Sequence, residues 1–211
     1  MDEREELVAT LNELYAQKLI TATGGNLSVR VRGRSGELWI TPSAIFKGSL
    51  SPAMMVRITD TGERLDPEAL PPSSERRVHT EILRRRPDLQ AVVHTHAPWA
   101  TLLALSETPF LPVGAEAAYL GEIPRVPFIM PGTLELGQAV AEALGERGYV
   151  ALMQNHGLVV AGPSLRKAAN LTAIVEHYSE LILRCLMLGK SPPLIPEAQV
   201  QQIRASMTMI V

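Results

Sequence analysis

Leu7, Leu11, Leu14, Tyr15 and Leu19 recur at the spacing of one helix face, which predicts an amphipathic helix over residues 3–19. The Thr-Ala-Thr-Gly-Gly-Asn stretch at 21–26 breaks that period. Apolar and polar positions then alternate over 27–32, the two-residue period of a half-buried strand. A turn at 33–36 leads to a returning strand at 37–41, a loop at 42–52 and a short strand at 55–59. A Pro- and Ser-rich loop at 66–73 precedes a helix that Ser73 or Ser74 would cap and that ends before Pro87. Beyond it the pattern predicts a strand at 89–95 and a helix at 98–105. A stretch with five prolines at 107–131 follows, with short strand-like pieces such as 125–129. A helix at 133–145, strands at 149–153 and 158–161, a long helix at 165–188 and a last one at 196–206 complete the chain. Helices alternate with strands throughout, and no repeat or long linker divides the 211 residues. One mixed α/β domain is expected.

Composition narrows this. Hydrophobic residues make up 46% and charged residues 20%, enough for a packed core and outside the range of disordered chains. Net charge is −2 and the sequence pI is near 6.2, so there is no electrostatic case for nucleic acid or an anionic membrane. The densest basic cluster, Arg84, Arg85 and Arg86 with Arg76 and Arg77 before it, reads as a solvated helix face. Residues 1–6 are acidic and lack an apolar core, and no run of about 18 apolar residues occurs. The expectation is a cytoplasmic protein. Cys185 stands alone in an apolar helical run and is expected to behave as a small buried hydrophobe.

The candidate chemistry lies in the histidines: His79, His94, His96, His156 and His177. His94 and His96 flank Thr95 at the end of a predicted strand, and residues two apart on a strand project from the same face. His156 sits in a Gln-Asn-His-Gly tip between two apolar strands, a hairpin that would present its imidazole. Three imidazoles with an open position are the composition of a catalytic zinc site, and neutral ligands leave the ion's charge available to stabilise an anion. His79 and His177 fall within predicted helices and read as structural or surface residues.

Two kinds of anion site accompany them. Ser73 and Ser74 precede Glu75 at a predicted helix N-terminus, where free N–H groups and hydroxyls suit an anion. Glu75 would act as a fourth metal ligand or as a general base. Thr23-Gly24-Gly25-Asn26 offers close backbone approach, and Thr41 and Ser43 add hydroxyls at a strand end. The nucleotide-binding motif G-x-x-x-x-G-K-[ST], the dinucleotide motif G-x-G-x-x-G and the hydrolase motif G-x-S-x-G are all missing.

Taken in order, the segments 23–30, 40–43, 72–75 with His79, 91–96 and 155–158 resemble the class II aldolase/adducin family, and within it the fuculose-phosphate aldolases. The resemblance runs from about residue 5 to 190. It implies a single three-layer α/β/α domain with a central, largely antiparallel sheet. It also implies a homotetramer with active sites at subunit interfaces. His94, His96 and His156 match the zinc ligands, with manganese or cobalt as other possible ions. Glu75 matches the acidic residue that ligates zinc at rest and moves a proton in turnover. Gly25, Asn26, Ser43, Ser73 and Ser74 match a phosphate site built from backbone N–H groups and neutral side chains.

The implied reaction cleaves a ketose 1-phosphate to dihydroxyacetone phosphate and an aldehyde. Charge develops on an enediolate, which the metal stabilises, and Glu75 protonates the carbon. Where the family carries a tyrosine after the H-x-H helix, this chain has Val113; Tyr119 is the nearest candidate to protonate the aldehyde oxygen. The family's C-terminal tyrosine has no counterpart in 205–211. The same scaffold serves ribulose-phosphate epimerases, methylthioribulose-phosphate dehydratases, phosphotetronate decarboxylases and non-catalytic adducin-type heads. The last are expected to lack the metal ligands present here.

Overall fold

The structure, a computed structural model, describes residues 2–206. Most of the 205–211 stretch that lacks the family's tyrosine lies outside the described residues. The elements run α1 (Glu3–Ala16), β1 (Asn26–Arg30), β2 (Glu37–Ile40), β3 (Val56–Thr59), α2 (Arg76–Arg85), β4 (Ala91–Thr95), α3 (Pro98–Leu105), α4 (Ala115–Leu120), β5 (Arg125–Val126), α5 (Leu134–Leu144), β6 (Val150–Met153), β7 (Gly157–Gly162), α6 (Leu165–Met187) and α7 (Glu197–Ser206). Two 3-10 turns, Lys47–Ser49 and Pro52–Met54, occupy the loop before β3.

The strands form one sheet in the order β3-β2-β1-β4-β7-β6-β5, antiparallel throughout except where β5 joins β6. Alternation divides the strand residues between two helix layers. Leu27, Val29, Ala91, Val93, Leu158 and Val160 pack with residues of α1, α3 and α6. Val92, Ala151, Met153, Val159 and Ala161 pack with α2 and α5 on the opposite face. The result is the three-layer α/β/α domain with a mixed, mainly antiparallel sheet. Each aliphatic side chain fully buried this way contributes about 1.5–3 kcal/mol before the entropy of ordering it is subtracted.

Several elements differ from the pattern for identifiable reasons. α1 ends at Ala16, not at 19, because Lys18 turns left-handed (φ 62°). The N–H of Leu19 bonds back to Leu14 O, so Leu19 stays on the apolar face after the helix has stopped. The proline-rich stretch holds the short helix α4, and its strand shrinks to two residues. Neither Ser73 nor Ser74 caps α2; Glu75 occupies the cap position, and no side chain bonds the cap. Arg86 is buried rather than solvated, bonding Asp88 and the carbonyls of Gly145 and Gly148, which ties the end of α2 to α5. Cys185 is only half-buried. No helix among the described residues is long and apolar enough to cross a membrane.

Candidate metal centre

Four elements bring the candidate residues together. β4 delivers His94 as its penultimate residue, with His96 one step past its end. The register pairs Asn26 with His94 across β1 and β4, so both side chains face the α2 layer. Glu75 enters from the start of α2 on that layer. His156 comes from the tip between β6 and β7, where Asn155 takes a left-handed φ of 56°, a conformation asparagine tolerates at low cost. One donor atom from each of Glu75, His94, His96 and His156 lies within 4.8 Å of the others.

Glycines make this convergence possible at two points. A Cβ on Gly24 would sit 2.6 Å from the His96 ring. On Gly157 it would meet Thr95 O at 2.3 Å and both the His94 and His96 rings at 3.3 Å. The loop after α1 and the start of β7 therefore approach the cluster only as bare backbone.

The donor arrangement calls for a cation. The Nδ1 of His94 lies 3.0 Å from the carbonyl oxygen of Leu158, so Nδ1 carries the proton and the Nε2 lone pair faces inward. That lone pair is 3.1 Å from Glu75 Oε2, and His156 Nε2 is 2.8 Å from Oε1. Even so, Glu75 Oε1 and the Nε2 atoms of His94 and His96 are buried with no hydrogen-bond partner. Donors that crowd one another without bonding suit a common ion between them, whose tetrahedral ligands would stand about 3.4 Å apart. The residues present fit a divalent metal.

The electrostatics agree. Burial acts to raise the Glu75 pKa, but positive charge beside it, carried by His94 and His156 when they are protonated, outweighs burial and holds the carboxyl well below the usual range. Burial, then His94 and His156, lowers His96 to about 4, so its imidazole is neutral and able to ligate at pH 7.

Behind the cluster lies a buried chain. Asn26 Nδ2 donates to Glu75 Oε2 at 2.9 Å, which turns Asn26 Oδ1 toward His79 Nε2 at 2.5 Å. His79 therefore carries its proton on Nε2, and Ser28 Oγ donates to Nδ1 at 2.7 Å. His79 is fully buried and structural, and it holds Asn26, which holds Glu75. Burial lowers the His79 pKa to about 3, against about 6.5 when unfolded. The linkage sign follows. Above pH 6.5 neither state binds this proton; below it only the unfolded chain does, so stability falls as pH drops toward the folded value. We expect His79 alone to cost about 2 kcal/mol by pH 5. Urea denaturation from pH 7 to 5 checks this. The slope should flatten in His79→Gln, and an unchanged slope would remove His79 as its source.

Beside the cluster a cavity of about 360 Å³ is lined by Gly25, Asn26, Ser43, Ser73, Ser74, Glu75, His96 and His156. All five residues expected at a phosphate site thus border the metal cluster. Asn26 lines it with its amide already bonded on both sides, and Ser73 Oγ accepts the Glu75 N–H at 3.2 Å. Tyr119 is not brought in: it is half-buried on α4 and does not line the cavity. The cavity also contains Lys47, which pattern reading missed. Lys47 lies in a loop without periodicity, and no motif marks it.

Residues 5–183 match the family described as Class II Aldolase and Adducin N-terminal domain. The chain is 33% identical over 198 residues to 5-methylthioribulose-1-phosphate/5-deoxyribulose-1-phosphate aldolase of Escherichia coli O45:K1, covering 92% of this chain and 90% of that one. It is 34% identical over 197 residues to L-fuculose phosphate aldolase of Escherichia coli O6:H1, covering 92% and 89%. Its fold superposes on the crystal structure of YgbL, a putative aldolase/epimerase/decarboxylase from Escherichia coli, with a TM-score of 0.85, 29% identity and coverage of 95% and 97%. The two aldolases are equally similar, so the fuculose branch expected from the sequence is not singled out.

Proposed function

Because this chain belongs to the class II aldolase and adducin family and carries an intact His/Glu metal cluster, making it a metal-dependent lyase, we propose that it cleaves a ketose 1-phosphate to dihydroxyacetone phosphate and an aldehyde. The observation that carries this reading is Glu75. Its carboxylate lies between two metal-ligand histidines and also faces a cavity bordered by Gly25, Ser43, Ser73 and Ser74. His94, His96 and His156 would hold the ion, with Glu75 as a fourth ligand at rest. Three imidazoles and one carboxylate favour zinc, and manganese or cobalt are ions the same donors accept. When bound, the metal supplies Lewis-acid stabilisation of negative charge on substrate oxygens.

The remaining steps belong to the protein. Gly25, Ser43, Ser73 and Ser74 bind the phosphate and fix which carbon faces Glu75, with Asn26 closing the floor. Glu75 delivers a proton to the carbon left behind by bond cleavage, or removes it in the synthetic direction. Asn26 and His79 keep the carboxylate aimed at that carbon. As the C3–C4 bond breaks, the C4 hydroxyl gives up its proton, which balances the one delivered to carbon. The group that takes it, and returns it to the aldehyde oxygen in the synthetic direction, is Tyr119 in our reading and would come from a neighbouring subunit of a homotetramer, since it lies outside the cavity of its own chain.

Two measurements test the proposal. Zinc-loaded protein should release dihydroxyacetone phosphate from at least one member of a ketose 1-phosphate panel, detected by enzymatic reduction. Release of water or carbon dioxide without dihydroxyacetone phosphate would replace the reading with a dehydratase or decarboxylase. Dialysis against a strong chelator should abolish cleavage, and zinc should restore it. Full activity in metal-free protein would end the proposal.

A further inference from the structure

Lys47, the first residue of the 3-10 turn Lys47–Ser49, is only 2% exposed. An ammonium has three donors, and among the described residues its one protein acceptor is Pro42 O at 3.1 Å. None of the ion pairs among the described residues involves it. Glu75 is the one acidic residue lining the same cavity, and its two oxygens are turned toward His94 and His156. A buried cation without a counter-ion is costly, so a chain that keeps one has a use for it. Burial accordingly pushes the Lys47 pKa down, with Glu75 opposing.

The surroundings identify the missing charge. Lys47 shares the cavity with Thr23, Gly24, Ser43, Ser73 and Ser74, neutral groups that shape an anion pocket but do not neutralise an anion. A metal with the Glu75 carboxylate carries one net positive charge, and Lys47 adds a second. A phosphate dianion balances both, whereas a carboxylate leaves one uncompensated. We infer that Lys47 is the specificity-determining cation of the substrate pocket, selecting a doubly charged phosphate through a direct ammonium–phosphate bond. The pocket is thus not built from backbone and neutral side chains alone. This inference rests on the sugar-phosphate reading above.

The test uses zinc-loaded wild type, Lys47→Met and, to preserve a polar end should the methionine variant not fold, Lys47→Gln. Zinc content is measured in each. Without ligand, Lys47→Met should melt at or above wild type, since methionine fills similar space with no charge to desolvate. Inorganic phosphate should raise the wild-type melting temperature and leave that of the variants unmoved. Calorimetric titration should show dihydroxyacetone phosphate binding roughly 10- to 100-fold more weakly to the variants, the scale of one charge-assisted hydrogen bond. Unphosphorylated dihydroxyacetone should bind all three alike. Variants that bind dihydroxyacetone phosphate as wild type does, with the same phosphate-induced shift, would overturn the role of Lys47 and leave the proposed function standing. Wild-type protein that responds to neither phosphate probe would overturn the sugar-phosphate reading and this inference with it.

Discussion

Glu75→Gln is expected to lower the rate of aldol cleavage by two to four orders of magnitude while the protein stays folded and holds its metal. The amide is nearly isosteric, so the cap position of α2 and the surrounding packing are kept. What disappears is the ability to carry a proton between carbon and carboxylate. Asn26 Nδ2 now faces an oxygen of a neutral amide, and His94 and His156 lose the anion they flank. Metal affinity should fall far less than the rate, because the three imidazoles remain. Single-turnover cleavage alongside metal analysis separates the two effects. A variant that binds metal and cleaves within tenfold of wild type would remove Glu75 from proton transfer.

His94→Ala should abolish stable metal binding and take cleavage to background. His94 is the most buried of the three imidazoles and the one whose orientation is fixed by a backbone carbonyl. Its loss removes one ligand and leaves Leu158 O without its partner. Outer-ligand changes around metals cost about 10–100-fold in affinity, which is the scale expected for Asn26→Ala. Losing an inner ligand should exceed that, so competition with a chromophoric chelator should rank wild type above Asn26→Ala and Asn26→Ala above His94→Ala. Equal affinity in His94→Ala and wild type would mean that the ion, if any, is held elsewhere.

Much of this architecture was legible in the order of the residues. The two-residue alternation at 27–32 and the segment read as a strand at 89–95 correspond to strands that the sheet contains, and the long apolar period after 165 to α6. His94 and His96 on one strand face, and His156 at a hairpin tip, were readable because each depends on local spacing. Other features were not, because their causes are distant in sequence. α3 begins with Pro98 and no capping side chain, and its first N–H groups are met by Glu176, from α6. α2 likewise draws its C-terminal partner from Arg30 on β1, which bonds Leu83 O and Leu89 O.

The sequence by itself determined the chemistry on offer: three imidazoles, a carboxylate next to paired serines, and glycines where backbone must pass close. Residue type and short-range period carry that information, since donor chemistry is intrinsic and strand or helix faces are set within a few positions. The tertiary structure alone decided which groups meet. It brought Glu75 between His94 and His156, sealed His79 behind Asn26, and left Tyr119 outside the cavity of its own chain. It also buried Lys47 beside the serines without a counter-ion. The physical reason is that burial and electrostatic pairing depend on distance through space. In a sheet whose central neighbours β1, β4 and β7 are far apart along the chain, no local pattern encodes that distance.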